Sequence, residues 1–214
     1  MFENRSDAGR RLSSRLQQYK GRHDVIVLAL PRGGVVIGDE IAQAINAPLN
    51  VIIVRKIGFP GQPELAVGAV AESGSVVLNE DLMAEGRLSR DLLKREIDHQ
   101  KDEIAKRVFL YRSGKGLPSL NDTTVILVDD GVATGATIKA AISALKDEKV
   151  AKLVVALPVG PPETVGVLRQ MVDELVCLET PFVFRAVSAY YYDFTQVSDD
   201  QVVSILRKSS AKAA

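Results

Sequence analysis

The fold is decided by the stretch Val125-Ile-Leu-Val-Asp-Asp-Gly-Val-Ala-Thr-Gly-Ala-Thr137. An apolar run is followed by two adjacent carboxylates, a loop of small residues and the start of a helical pattern. This order is typical of an open α/β sheet, in which ligands bind at the carboxyl ends of the strands. The stretch therefore predicts both a fold class and the position of a ligand site.

The loop after the carboxylates has the properties of a phosphate site. Its small residues let backbone amides approach an anion, two threonines add hydroxyl donors, and the following helix presents its positive end. A P-loop is excluded because no lysine follows Gly135, and no G-x-G-x-x-G pattern occurs anywhere. We therefore expect a phosphate to be held without lysine, by Ala133, Thr134, Gly135, Ala136 and Thr137.

The carboxylates of Asp129 and Asp130 need partners of their own. Adjacent carboxylates at a strand end repel each other and lose hydration when they are buried. A sugar diol would supply hydroxyl donors, and magnesium would supply positive charge. The structural alternative is a strand end with capping acids and a turn.

Apolar runs alternate with helical patterns along the rest of the chain. Strands are predicted at residues 25–30, 49–54, 124–128, 153–157 and 175–178. Gly and Pro in residues 55–62 predict a loop, which is followed by a hairpin of residues 66–71 and 75–78. Helices are predicted at residues 35–46, 80–112 with a break at Gly86, 135–146 and 162–172, and a capping box at Ser198 and Gln201 begins the last one. This alternation predicts a mainly parallel sheet with helices on both faces.

Composition narrows the classes of function. The 214 residues contain no internal repeat or low-complexity linker, so we expect one domain over residues 1–214. Lys plus Arg and Asp plus Glu number 27 each, so no overall field favours nucleic acid or an anionic membrane. Cys177, the single cysteine, lies in an apolar run and is expected to be an inert core thiol.

The cellular location can also be predicted from the sequence. No segment approaches the ~18 apolar residues of a membrane span, and the charged first residues lack the apolar stretch of a signal peptide. We therefore expect a cytoplasmic protein that does not bind membranes.

Two more segments could bind an anion. Leu30-Pro-Arg-Gly-Gly34 follows the first strand at the same edge of the predicted sheet, with backbone donors beside the Arg32 guanidinium. Val54-Arg-Lys-Ile-Gly58 ends the second strand and carries Arg55 and Lys56. The alternative for the first segment is a turn at a helix start with a solvated arginine. The alternative for the second is a charged strand end without a ligand.

In this order, the three segments resemble the type I phosphoribosyltransferases. The signature of that family is an apolar strand, two acidic residues and a loop of the form x-x-Ala-Thr-Gly-Gly-Thr, from which Gly131 and Ala136 depart. Leu30 to Gly34 looks like the family's pyrophosphate loop, with a cis peptide expected between Arg32 and Gly33. Residues 55–58 are similar to the Arg-Lys-x-Gly of the adenine-type enzymes.

The resemblance implies the type I phosphoribosyltransferase fold, with a short hairpin or flexible loop and a small hood. It also implies transfer of a phosphoribosyl group from phosphoribosyl pyrophosphate to a nitrogen acceptor, nucleobase-like or amine, with release of pyrophosphate. The residues at positions 133–137 would hold the 5-phosphate. Asp129 and Asp130 would contact the ribose and would bind Mg²⁺ directly or through water. The pyrophosphate would be bound by Arg32, Gly33, Gly34, Arg55 and Lys56. The resemblance implies that Asp129, Asp130 and Arg32 form the catalytic set.

The resemblance also suggests moving parts. Residues 58–71 occupy the place of the family's flexible loop, which contains Glu64, a weak candidate for a catalytic group. Residues 181–214 are expected to contribute to the hood. The aromatic cluster at residues 190–194 could stack on a planar acceptor or pack in the core. Neither a general base nor the residues that select the acceptor can be assigned.

Two other functions stay open. A sensor of phosphoribosyl pyrophosphate could keep the site and bind nucleic acid or protein, with little or no turnover, although the neutral charge balance argues against nucleic acid. A partner-binding subunit with a vestigial site is the third, and the intact Asp129-Asp130 pair argues against it. The oligomeric state is open, with a homodimer as one option.

Overall fold

The computed structural model describes residues 1–212, and the side chains of all these except residues 63, 64, 211 and 212. The strands are β1 (Val25–Ala29), β2 (Leu49–Val51), β3 (Val54–Phe59), β4 (Gln62–Ala71), β5 (Val76–Leu78), β6 (Thr124–Val128), β7 (Lys152–Val159) and β8 (Glu174–Glu179). The helices are α1 (Arg5–Ser13), α2 (Gly33–Ile45), α3 (Glu80–Glu85), α4 (Arg90–Arg112), α5 (Ala136–Asp147), α6 (Pro162–Arg169) and α7 (Asp199–Lys212).

The central sheet has five strands in the order β2-β1-β6-β7-β8, and every neighbouring pair is parallel. Alternate residues of β1 point to opposite faces. Val25, Val27 and Ala29 pack in one core with α1, α2 and α7, whereas Ile26 and Leu28 pack in a second core with α5 and α6. The predicted α/β class, a mainly parallel sheet covered on both faces, is confirmed.

The predicted helix boundaries have local causes. The 80–112 pattern divides as expected, because α3 ends at Gly86 and α4 begins after Ser89, whose hydroxyl accepts from the amide of Leu92 at 3.3 Å. The capping box before α7 is also confirmed. The Ser198 hydroxyl accepts from the Gln201 amide at 3.1 Å, and the Gln201 side-chain carbonyl accepts from the Ser198 amide at 2.8 Å.

One sequence interpretation was wrong. Residues 55–62 were expected to form a loop, but residues 54–59 form β3 and pair antiparallel with β4, which pairs in turn with β5. The turn lies at residues 60 and 61, and the pairing has irregular register near Gly58. The segment 58–71 is therefore largely a β-hairpin, which packs against α5. Whether this hairpin moves stays a prediction.

The first residues and the segment before α7 lie side by side. The Phe2 amide donates to the Tyr190 carbonyl at 2.8 Å, and the Tyr192 amide donates to the Phe2 carbonyl at 2.9 Å. This pairing brings α1 and residues 181–198 to the carboxyl edge of the central sheet. Within residues 1–212, no helix is long and apolar enough to cross a bilayer.

Candidate active site

The start of α2 lies directly against the carboxylates that follow β6. A Cβ atom at Gly33 would lie 1.8 Å from an Asp130 carboxylate oxygen, and one at Gly34 would lie 2.8 Å from the Val128 carbonyl oxygen. Both distances are far shorter than real Cβ contacts, so any side chain here would displace the carboxylate or the strand end. The two glycines thus allow the segments 30–34 and 129–137, predicted separately, to form one site.

The carboxylates of Asp129 and Asp130 are in an unfavourable electrostatic environment. Burial, followed by repulsion from Asp130, raises the pKa of Asp129 well above its ordinary value. Burial also raises the pKa of Asp130, although the Arg5 guanidinium offsets part of this effect. Asp129 accepts a hydrogen bond from the Asp130 amide at 2.8 Å. The pair would gain from a cation or from hydroxyl donors, as the sequence predicted.

Sequence reasoning missed Arg5, which pairs with Asp130. The Arg5 Nε and Nη2 atoms each lie 2.8 Å from one Asp130 carboxylate oxygen, and Nη1 donates to the Thr195 carbonyl at 2.8 Å. The guanidinium also stacks over the Phe194 ring, 3.8 Å from its centroid. No local motif marks Arg5, because its partners are 125 to 190 residues away along the chain.

The aromatic cluster at residues 190–194 is divided between core and surface. Tyr191 is buried, packs against Phe2 and Phe194, and donates its hydroxyl to the Asp130 carbonyl at 2.6 Å. Burial, followed by the nearby Asp130 charge, raises the pKa of Tyr191 far above its usual range. Tyr192, by contrast, is 78% exposed. Tyr191 thus takes the core-packing alternative and holds the backbone of the carboxylate loop.

The loop at residues 133–137 has an open, amide-presenting conformation. Gly135 is the N-cap of α5 at φ 79°, a left-handed conformation that suits glycine. The Thr164 hydroxyl donates to the Ala133 carbonyl at 2.7 Å and so holds the loop from α6. Ala133 and Thr134 are exposed, and the first amides of a helix have no partner within it. This geometry suits an anion above the start of α5.

Gly131, one of the two departures from the family signature, has a structural reason. Its φ is 150°, and a Cβ atom there would lie 2.5 Å from Val187. The glycine therefore makes room for residues 181–198 to approach the carboxylates. Ala136, the other departure, is the first residue of α5 and needs no special conformation.

The three predicted cations are not grouped as expected. Arg32 precedes α2, and its side chain has no hydrogen bond or ion pair with the described residues. Because alternate residues of a strand point to opposite faces, Arg55 and Lys56 diverge. Arg55 donates to the Gln100 side-chain carbonyl of α4 at 2.8 Å, whereas Lys56 faces the loop after β6. The cis peptide lies between Pro31 and Arg32, one bond before the expected place.

A cavity of about 490 Å³ joins the hairpin to the phosphate-type loop. Its polar lining includes Lys56, Thr134 and Lys139, and its apolar lining includes Leu65 and Leu82. Lys139 is a second residue that sequence reasoning missed. It lies one helical turn after Gly135, where the spacing could have indicated that its side chain returns to the loop.

Comparison with known proteins now identifies the family. Residues 2–195 match the phosphoribosyl transferase domain family. The chain belongs to that family. It is 43% identical over 209 residues to the protein named "Putative phosphoribosyl transferase Rv0571c" of Mycobacterium tuberculosis H37Rv, a match that covers 98% of this chain and 47% of the relative. The chain thus spans about half the length of the curated relatives that it matches most fully.

Two solved structures extend the comparison. TT1426 from Thermus thermophilus is 42% identical and has a TM-score of 0.83, with 97% of this chain and 98% of that chain covered. AQ2163 from Aquifex aeolicus has a TM-score of 0.51 at 12% identity, with 81% and 73% covered, and so shares the fold alone. Together with the family match over residues 2–195, this similarity confirms the expected type I phosphoribosyltransferase fold.

Proteins of the phosphoribosyl transferase family generally use magnesium together with their ribosyl donor. Among the described side chains, no three His, Cys, Asp or Glu residues form a metal cluster. Asp129 and Asp130, the adjacent carboxylates after β6, would hold the ion directly or through water. Mg²⁺ commonly binds one or two carboxylates together with substrate phosphates and waters.

Other predicted features have simpler outcomes. Cys177 lies in β8, and burial raises the pKa of its thiol to about 11, as expected for an inert core cysteine. The side chain of Glu64 lies outside the described ones, so its suggested catalytic role stays a prediction.

Proposed function

We propose that this chain binds phosphoribosyl pyrophosphate and Mg²⁺ and transfers the phosphoribosyl group to a nitrogen of a small-molecule acceptor, with release of pyrophosphate. The observation that supports the proposal is the meeting of two predicted segments, residues 30–34 and 129–137, at the carboxyl edge of the central sheet. Gly33 contacts Asp130, and the loop at residues 133–137 follows directly. A cytoplasmic location and a homodimer stay predictions.

The donor would lie across the ends of β1 and β6. Its 5-phosphate would bind the loop of Ala133, Thr134, Gly135, Ala136 and Thr137, where helix amides and hydroxyls converge. The ribose hydroxyls would donate to Asp129 and Asp130. The pyrophosphate would lie at the start of α2, against the amides of Gly33 and Gly34 and the guanidinium of Arg32.

The charges suit departure of pyrophosphate from ribose C1. The transition state has positive charge on the sugar and growing negative charge on the leaving group. Carboxylates on one side and Arg32 and Lys56 on the other would stabilise both charges, and fixed groups of this kind make a large contribution to catalysis. When bound, magnesium would supply further positive charge to the pyrophosphate oxygens.

Arg55 has a different role in this proposal. Because Gln100 accepts from its Nε atom, Arg55 fixes β3 against α4, and Lys56 is the cation of this pair that faces the donor. Arg5 would keep Asp130 ionised and oriented. Lys139 would add charge beside the 5-phosphate loop.

The experiment that tests the proposal is pyrophosphate release from phosphoribosyl pyrophosphate across a panel of nucleobases and amines. We expect release only with particular acceptors. Arg32→Ala should lower turnover more than it lowers stability, because its charge acts as pyrophosphate departs. Arg15→Ala, an exposed change on the segment after α1, is the matched control. Full turnover in Arg32→Ala would remove Arg32 from the catalytic set.

A further inference from the structure

A second cleft lies between the first residues of β2, the C-terminal end of α4, and α7. We name it the α4–α7 cleft. It encloses a cavity of about 530 Å³, and an adjoining cavity of about 450 Å³ shares Leu49, Asn50, Pro118 and Ser210 with it. Cavities of roughly 300–1,000 Å³ are typical of small-molecule sites. Residues 129–137 line neither cavity, so the cleft is separate from the candidate active site.

The charged lining of the α4–α7 cleft is entirely basic. Arg112 ends α4, Lys115 follows in the next loop, and Arg207 comes from α7. No Asp or Glu belongs to the lining among the described residues. Lys115 and Arg207 are exposed and make no ion pair with any described side chain. The cleft therefore attracts anions.

Arg112 distinguishes this cleft from an ordinary solvated basic surface. Its side chain is 7% exposed, and its Nη2 atom pairs with the equally buried Glu72. Its Nε and Nη1 atoms are buried and have no hydrogen-bond partner among the described residues. Buried donors without acceptors are costly and uncommon in native proteins. Because Arg112 lines the cavity, a turn of its side chain toward an anion in the cleft would give these nitrogens acceptors.

A purely structural reading explains only part of this arrangement. Cations near the end of a helix stabilise its terminal carbonyl groups, which would account for Arg112 and Lys115 at the end of α4. This stabilisation of a helix end does not account for Arg207, which belongs to another helix. Nor does it provide acceptors for the two unpaired nitrogens of Arg112.

The apolar lining indicates what else the ligand carries. Leu110 of α4 and Val203 and Leu206 of α7 line the same cavity as the cations. A bare inorganic anion would leave this surface uncovered. A molecule with an anionic group and a flat or apolar body would use both parts.

We propose that the α4–α7 cleft binds a phosphate-bearing small molecule of nucleotide size. Its phosphate lies at Arg112, Lys115 and Arg207, and its less polar body lies against Val203 and Leu206. This site is additional to the proposed transferase site and does not depend on it.

The test uses ADP and pyrophosphate as probes, with methyl NMR spectra of the whole chain as the readout. The methyl signals of Leu110, Val203 and Leu206 report on the cleft alone, so binding at the loop of residues 133–137 does not confuse the result. Both probes should shift these signals saturably, and ADP should bind more tightly than pyrophosphate. Equal affinity would overturn the assignment of the apolar part.

Variants locate the phosphate. Lys115→Gln and Arg207→Gln should each weaken ADP binding roughly two- to fivefold, as expected for exposed charges. Lys208→Gln, next to Arg207 but outside the cavity lining, should leave the affinity unchanged. The double variant Glu72→Gln/Arg112→Met removes the buried pair together, so no charge is left alone, and should weaken binding about tenfold or more.

Two results would overturn the proposal. One is the absence of saturable methyl shifts with millimolar ADP at low ionic strength, where attraction between charges is strongest. The other is unchanged ADP affinity when Lys115→Gln and Arg207→Gln are combined in one folded protein.

Discussion

Two buried guanidinium–carboxylate pairs lie in different parts of the molecule, and they differ in how fully the arginine is used. Arg5 directs all three nitrogens of its guanidinium to Asp130 and Thr195 and stacks on Phe194. Arg112 pairs with Glu72 through one nitrogen and leaves two buried nitrogens without a described partner.

The difference teaches what each pair does. The Arg5 pair is complete, and it fixes the N-terminal helix and residues 181–198 onto the carboxylate loop. The Arg112 pair is incomplete and lies at a cleft, where its unpaired nitrogens could donate to a bound anion. A buried ion pair therefore has to be judged by all its hydrogen bonds rather than by its charges alone.

The largest effect is expected from removing Arg5. Arg5→Met should lower the free energy of unfolding by about 3–5 kcal/mol, because it leaves Asp130 buried and uncompensated beside Asp129. Urea unfolding at neutral pH measures this change. Arg15→Met, an exposed arginine just after the same helix without an ion pair among the described residues, is the control. A loss of less than about 1 kcal/mol would mean that the Arg5 pair behaves like a surface ion pair.

A smaller effect of opposite sign is expected at Asp129. Asp129→Asn keeps the oxygen that accepts from the Asp130 amide but removes the repulsion, so it should raise the free energy of unfolding by roughly 0.5–2 kcal/mol at neutral pH. Because the folded state raises the pKa of Asp129, wild type loses stability as pH rises above the ordinary range of a carboxyl group, about pH 4. The gain should therefore be present at pH 7 and vanish below about pH 4.

Unfolding curves at several pH values measure this difference. A gain that is the same at pH 3 and at pH 7 would show that it does not come from titration of Asp129.

The smallest effect is expected from replacing the incomplete pair as a unit. Glu72→Gln/Arg112→Met should change the free energy of unfolding by less than about 1 kcal/mol or raise it, because it removes two unsatisfied donors together with the ion pair. Arg112→Met alone, which leaves Glu72 unpaired, should be clearly less stable than the double variant. Equal stability of the two would mean that Glu72 is not held by Arg112.

Features that are set by neighbouring residues could be predicted from the sequence, whereas features that are set by distant residues could not. The Asp129-to-Thr137 stretch, the break at Gly86 and the capping box at Ser198 are set by neighbouring residues, so their outcome could be read from the sequence. The Gly33 contact with Asp130 was implied only by the expected meeting of strand ends. Arg5 carries no local signal at all, because its partners are brought to it by the folded chain.

The hairpin of residues 54–71 also shows that pairing between distant residues limits prediction from the sequence. Gly and Pro in this segment suggested a loop, but pairing between β3 and β4 overrides that local preference. The alternation of a strand then sends Arg55 to Gln100 and Lys56 to the loop after β6. Adjacent residues with the same charge cannot be assigned to one ligand until the strand is known.

The most direct test of the central claim is calorimetric binding of phosphoribosyl pyrophosphate with magnesium to wild type, Thr134→Val and Thr137→Val. Thr123→Val, at the opposite end of β6, is the matched control. Each site variant should bind about 10- to 150-fold more weakly, since a hydrogen bond to a charged phosphate contributes about 1.5–3 kcal/mol. Unchanged affinity in both folded site variants would contradict the claim that this loop holds the phosphate of the donor.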